Sequence, residues 1–161
     1  MGIRERGGDL RLIHIEDSSS NTLSREIKAH VDPKVKMIVT DELRAYPLAM
    51  IGAGIKGGQH KTIKHKERIY VRGEVHTNTI ESAFSLFKRG IIGSYHQLSI
   101  KHLQRYLNEF SYRFNRRDDA DMFEKTVSRM AGVKPMPYSK LIEQNAFTPF
   151  VRPAPKTSEP F

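Results

Sequence analysis

Apolar residues fall into short runs in the first third of the chain and into helical stripes towards its end. Residues 1 to 9 read as the tail of a strand that enters a Gly7-Gly8 turn. Leu10 to Asp17 then reads as the returning strand, with Leu10, Leu12, Ile13 and Ile15 apolar. Past a polar loop, Ser18 to Asn21, the helical period of Leu23, Ile27 and Val31 predicts a helix over Thr22 to Val31. Asp32-Pro33 ends it, because proline disfavours helical geometry in the residue before it. Val35 to Thr40 is a short apolar run of the kind that lies buried in a sheet, with Asp41 at its C-terminal end. A helix is expected next, over Glu42 to Met50.

The second half is helical. Asn78 opens a helix with an apolar face of Ile80, Phe84 and Phe87, and Gly90 to Gly93 breaks it. Ser99 caps a long helix, Ile100 to Arg117, whose core face is Leu103, Tyr106, Leu107, Phe110 and Phe114. A further helix, Asp119 to Ala131, is expected to bury Met122, Phe123, Val127 and Met130 and to be closed by Gly132. Six of the eight prolines then crowd into residues 135 to 160, so residues 133–161 read as a proline-rich tail separate from the domain of residues 1–132. In that tail a short helical piece is expected over Tyr138 to Glu143, with residues 146–161 disordered.

Charge narrows the partners. The 161 residues carry 27 Lys and Arg against 18 Asp and Glu, so an anionic partner is expected. Nucleic acid fits better than a membrane, since no apolar run approaches the roughly 20 residues of a spanning helix and no signal-peptide core opens the chain. Without cysteine there is no disulfide, thiol catalysis or cysteine-ligated zinc. The implied setting is the cytoplasm, at the nucleoid.

Two places offer chemistry. Glu81 and Lys88 are seven residues apart, which returns them to nearly one face of a helix, with Asn78 and Ser85 beside them. Such a ridge suits a divalent cation and a phosphate, but Asn78 and Glu81 also have the spacing of a capping box. Asp41, at a strand's carboxyl end, stands where open α/β sheets gather ligands, and an N-cap of the following helix would equally explain it. The Gly52-Ala53-Gly54-Ile55-Lys56-Gly57 stretch is a literal G-x-G-x-x-G, but it follows a helix instead of a strand and reads as a surface loop. Lys56, Lys61, Lys64, Lys66, Arg68 and Arg72 form a basic ribbon interrupted by one acid, Glu67, and by strand-like pieces at Lys61 to Ile63 and Arg68 to Val71. It suits phosphate contacts that position a duplex without reading it, or is simply a solvated face. Its His60 and His65 lack further ligands at zinc spacing.

The wording of residues 76–117 adds a family. His-Thr-Asn-x-Ile-Glu-Ser, then Lys-Arg-Gly, Gly-x-Tyr-His, and Tyr-Leu-x-Glu-Phe-x-Tyr-Arg-x-Asn-Arg-Arg closely resembles the C-terminal catalytic half of bacterial insertion-sequence transposases. Upstream, Thr40-Asp41-Glu42 followed by Tyr46 matches the same family. The resemblance implies an α/β, RNase H-like mixed sheet flanked by helices, and a DDE site for metal-dependent cleavage and transfer of DNA strands. It makes Asp41 the second catalytic aspartate, Glu81 the terminal glutamate and Lys88 a lysine near the DNA backbone. Asp41 and Glu81 would share two magnesium or manganese ions with a third carboxylate, since hard cations take oxygen ligands. Lys56, Lys61, Lys64, Lys66, Arg68, Arg72, Asn78, Lys88 and Arg89 would contact DNA, both element ends and target, in what is a homo-oligomer in complete transposases.

One family carboxylate has no counterpart. The first aspartate belongs on the first strand, upstream of the glycine turn, whereas Glu5 is flanked by arginines and Asp9 lies in the turn. The expectation is a first strand missing or incomplete, two sheet fragments with exposed edges, and a chain inactive unless joined to an upstream-encoded part. The rival readings are a non-catalytic basic DNA-binding remnant that regulates an intact transposase, and a nuclease acting on hybrids, which also needs a third carboxylate.

Overall fold

The computed structural model describes residues 1–63 and 78–142. Strand β1, Gly2–Arg4, turns back through Gly7 at φ +69° into β2, Leu10–Leu12, and the two pair antiparallel with Ile3 opposite Arg11. The strand expected to reach Asp17 stops at Leu12. One more rung joins Met1 and Ile13, whose backbones exchange hydrogen bonds of 2.7 and 2.8 Å, and there the partner strand ends.

Beyond it, helix side chains take over the work of a neighbouring strand. Asn115 accepts from the Leu10 amide at 2.7 Å and donates to the Leu10 carbonyl at 2.9 Å. Gln104 donates to the Leu12 carbonyl at 2.9 Å and accepts from the His14 amide at 2.6 Å. The outer edge of β2 is thereby satisfied without another strand, which meets the requirement that backbone polar groups find partners.

Helix α1, Ser20–His30, begins two residues before the expected start because the Ser19 side chain accepts from the Thr22 amide as N-cap. Its Leu23 and Ile27 are buried, as the period indicated. Strand β3, Ile38–Thr40, occupies only the end of the apolar run and pairs in parallel with β4, His60–Thr62, Val39 opposite Lys61. The helix expected over Glu42 to Met50 is instead α2, Tyr46–Gly52, with Pro47 in its first turn, where the missing N–H costs nothing.

The glycine-rich stretch closes α2. Gly54, at φ +80°, leads the Ile55 amide back to the Met50 carbonyl and its own amide to Ile51, the usual glycine-terminated helix end, with Ile55 buried beneath it. Gly52 lets α1 approach, since a Cβ there would meet the Ser24 hydroxyl oxygen at 2.6 Å. The stretch has no nucleotide role to explain.

Helix α3, Asn78–Gly90, lies on β1, where a Cβ on Gly2 would stand 3.0 Å from the Phe84 ring. Gly90 to Gly93 is no break. The helix runs on as a π turn over Ile91–Tyr95 and ends at His96 with φ 56°. The long helix starts with a 3-10 turn, Ile100–His102, and α4 proper spans Leu103–Asn115; Ser99 makes no side-chain cap bond. Phe87 meets Phe110 edge to face at 5.3 Å, and Phe110 meets Phe114 at 5.9 Å.

Two cores result. Leu23, Ile27, Ala49, Met50, Ala53 and Ile55 form one between α1 and α2; Leu10, Leu12, Ala83, Phe87 and Leu107 form the other between the hairpin, α3 and α4. Each fully buried leucine, Leu10 and Leu23, contributes about 2 kcal/mol of burial.

Helix α5, Met122–Gly132, departs furthest from expectation: Phe123, Val127 and Met130 are exposed and only Met122 is half-buried. It docks through polar atoms, the Tyr112 hydroxyl bonding Thr126 at 2.9 Å and Arg129 lying over the Tyr112 ring. A short α6 follows at Tyr138–Ile142. The strand expected at Arg68 to Val71 and the disorder expected over 146–161 lie outside the described residues. The architecture is mixed, helices with two separate two-stranded sheets, as an α/β reading allows.

Candidate active site and DNA-facing residues

Asp41 emerges from the carboxyl end of β3 with its carboxylate exposed. Its Oδ1 accepts from the Leu43 amide at 3.2 Å, forming a local turn, while the N-cap position of α2 is occupied by Ala45. The capping explanation for this aspartate therefore fails. Below it, buried Thr40 donates to the Asp41 carbonyl at 3.0 Å and lies 2.9 Å from His60 Nε2 on β4. With the threonine proton so committed, Nε2–H is the donor to Thr40. Burial lowers the His60 pKa, which agrees with a neutral ring. Burial, and after it the Asp41 charge, raises the pKa of the Tyr46 phenol, so that hydroxyl stays protonated beside the carboxylate.

Glu81 lies in the first turn of α3 and Lys88 in its last, both exposed, with Ser85 between them. The buried side of the same helix is Ala83 and Phe87, with Ile80 and Phe84 half-buried, so the expected polar ridge and apolar face are both present. The Asn78 backbone begins α3, but its side chain, and with it the capping-box alternative, lies outside the described residues.

Asp41 and Glu81 thus stand on different supports, one on the β3–β4 sheet beside α2 and the other on a helix seated on β1. Among the described residues no three His, Cys, Asp or Glu side chains are grouped so as to hold a metal ion. The donor chemistry of two exposed carboxylates suits a hard cation, but these residues alone do not fit a complete two-ion site.

Of the DNA-facing candidates, Lys56, Lys61, Lys88 and Arg89 are exposed, while Lys64, Lys66, Arg68 and Arg72 lie outside the described residues. The arginines of α4 are less available than their count suggests. Arg113 is bound to Glu109 and donates to the Tyr95 hydroxyl at 3.2 Å, and the Glu109 hydrogen bond, ahead of burial's opposing effect, raises its pKa. Arg116 pairs with Asp119 at 3.5 Å, and Arg117 with Asp118 at 3.4 Å. No helix among the described residues is long and apolar enough to cross a membrane.

Residues 1–115, which hold both carboxylates and the lysine, match a transposase domain of insertion sequences, and the chain belongs to that class. The family is that of the ISXO2-like transposase domains. Comparisons with characterised proteins and with solved structures found no match. Helices α5 and α6 lie beyond the matched residues.

Sequence reasoning passed over Asn115, Gln104 and the Thr40–His60 pair. Gln104 and Asn115 did leave a signal, since with Leu107 and Ser111 they share one face of α4, and polar residues on a buried face need partners.

Proposed function

We propose that this chain is the larger part of an RNase H-like DDE transposase catalytic domain, contributing Asp41 and Glu81 as metal-binding carboxylates and Lys88 as a contact to the DNA backbone. The observation that carries the reading is the family match over residues 1–115 together with the exposed Asp41 at the carboxyl end of β3. Magnesium or manganese would polarise the phosphodiester when bound. The chain's own part is to present two carboxylates and to place DNA by charge.

The isolated chain does not catalyse strand transfer on this reading, because its sequence offers no third carboxylate in an apolar strand. A segment supplying one would enter beside β1. The outer edge of β2 is already closed by Asn115 and Gln104, whereas β1 has no second strand neighbour among the described residues. The separation of the two sheets, both with strands of three residues, supports the same arrangement, since two-stranded sheets are marginal alone.

The test is a magnesium-dependent strand-transfer assay on matching element ends. The isolated chain should give no product; robust transfer by it would show that no further carboxylate is required. The rival, a non-catalytic regulator, is favoured by the exposed Lys56, Lys61 and Arg89. It predicts that DNA binding survives Asp41→Ala with Glu81→Ala while no upstream segment restores nicking in either metal.

A further inference from the structure

Helix α5 is mounted with its polar side inward. Thr126 and Arg129 meet Tyr112 of α4, while Phe123, Val127 and Met130 stand 79, 48 and 72 % exposed. Those three positions follow one another at helical spacing and form a single stripe, continued by exposed Val133. An apolar stripe of this kind next to solvent calls for a cover. Neither nucleic acid nor a charged surface would supply one.

Charge identifies the cover. Residues 118–124 carry Asp118, Asp119, Asp121 and Glu124 with no Lys or Arg, whereas residues 125–134 carry Lys125, Arg129 and Lys134 with no carboxylate. Lys125 is occupied by Asp119 and Asp121, at 2.9 and 3.7 Å. That leaves Asp118 and Glu124 exposed at one end and Arg129 and Lys134 exposed at the other. A second α5 laid parallel would set like charge beside like; laid antiparallel, it sets each acidic end against a basic one.

We infer that α5 is a self-association surface, on which two copies of this chain pair their α5 helices antiparallel about a two-fold axis near Val127. In that register Phe123 of each copy packs against Met130 of the other, and Val127 faces its own symmetry mate. This is the self-complementary pattern that a two-fold interface requires. The pairing uses residues beyond the family match and does not rest on the transposase reading.

The absence of cysteine makes the register directly testable. In the full-length chain, Val127→Cys should form a disulfide dimer under oxidised glutathione. Phe123→Cys alone and Met130→Cys alone should not, because each would lie about 10 Å along the helix from its own copy, beyond disulfide reach. Mixing those two variants should give a cross-linked heterodimer. Ile51→Cys, exposed on α2, is the control. By sedimentation the unmodified chain should be a dimer that dissociates on dilution, and Phe123→Asp, checked for native circular dichroism, a monomer.

A monomeric unmodified chain, Val127→Cys no faster than Ile51→Cys, or a dimer indifferent to Phe123→Asp would each overturn the proposal. Should Phe123→Asp fail to fold, the cysteine variants decide alone. None of these measurements involves DNA or metal, so their failure leaves the proposed function where it stands.

Discussion

Asn115 satisfies both the amide and the carbonyl of Leu10, so its removal leaves two backbone groups unpaired at the edge of a buried strand. Asn115→Leu should cost about 2 to 4 kcal/mol, read as a lower urea midpoint at unchanged slope. Asn115→Asp keeps the acceptor and loses the donor, and should fall between. His30 is a second residue with a consequence. Its side chain is only 6 % exposed; Nδ1 lies 3.3 Å from Arg11 Nη1 and Nε2 3.8 Å from Glu26. Burial first, and then the Arg11 charge, lower its pKa, with Glu26 opposing. The unfolded chain therefore takes up a proton at this site before the folded one does. Stability should fall as pH drops through 6.5, the ordinary value, and level off once the folded ring also charges. His60 acts in the same direction. His30→Gln should flatten the pH dependence of the urea midpoint; an unchanged profile would show that this ring contributes nothing to it.

At the scale of elements, close approach decides what substitution does. Gly52→Ala places a methyl against Ser24, and should destabilise by about 1 to 3 kcal/mol, the cost of overpacking. Ser24→Gly in the same chain should recover most of that, a coupling that a double-mutant cycle measures directly. The helices α1, α3 and α4 were readable because their apolar residues repeat at the helical period and one side of each is buried. Their ends were less readable, since Ser19 and Pro47 set where α1 and α2 begin. Periodicity also marked the apolar side of α5, but it says only that a stripe exists and not whether this chain provides a neighbour for it. Asp41 and Glu81 were recognisable from local wording, while their placement on separate supports depends on contacts far apart in sequence.

On the scale of the whole molecule, the two hydrophobic clusters share no residue, one lying between α1 and α2 and the other among β2, α3 and α4. Hydrogen exchange should divide the chain into two opening units along that boundary, with amides of α1 exchanging at a different free energy from those of α4. A single common value throughout would contradict it. Charge acts at this scale too. With a net charge of +9, affinity for duplex DNA should fall linearly on a logarithmic salt scale, at a slope near 0.9 per phosphate neutralised. Replacing Lys56 and Lys61 together by Glu should reduce that slope by roughly 2 while leaving sequence preference unchanged.

The π turn at Ile91–Tyr95 carries a consequence for how this chain tolerates gain or loss of a residue. A wide turn holds one residue more than an ordinary one, so it acts as a phase shifter between the helix before it and everything after. Tyr95 reaches Glu109, at 2.9 Å, and the Tyr106 ring only because that extra residue has rotated it into place. Deleting Ile92, though its side chain is 76 % exposed, would let the turn relax to α-geometry and swing Tyr95 away by about 100°. A surface residue whose side chain meets solvent is thereby indispensable for its backbone alone.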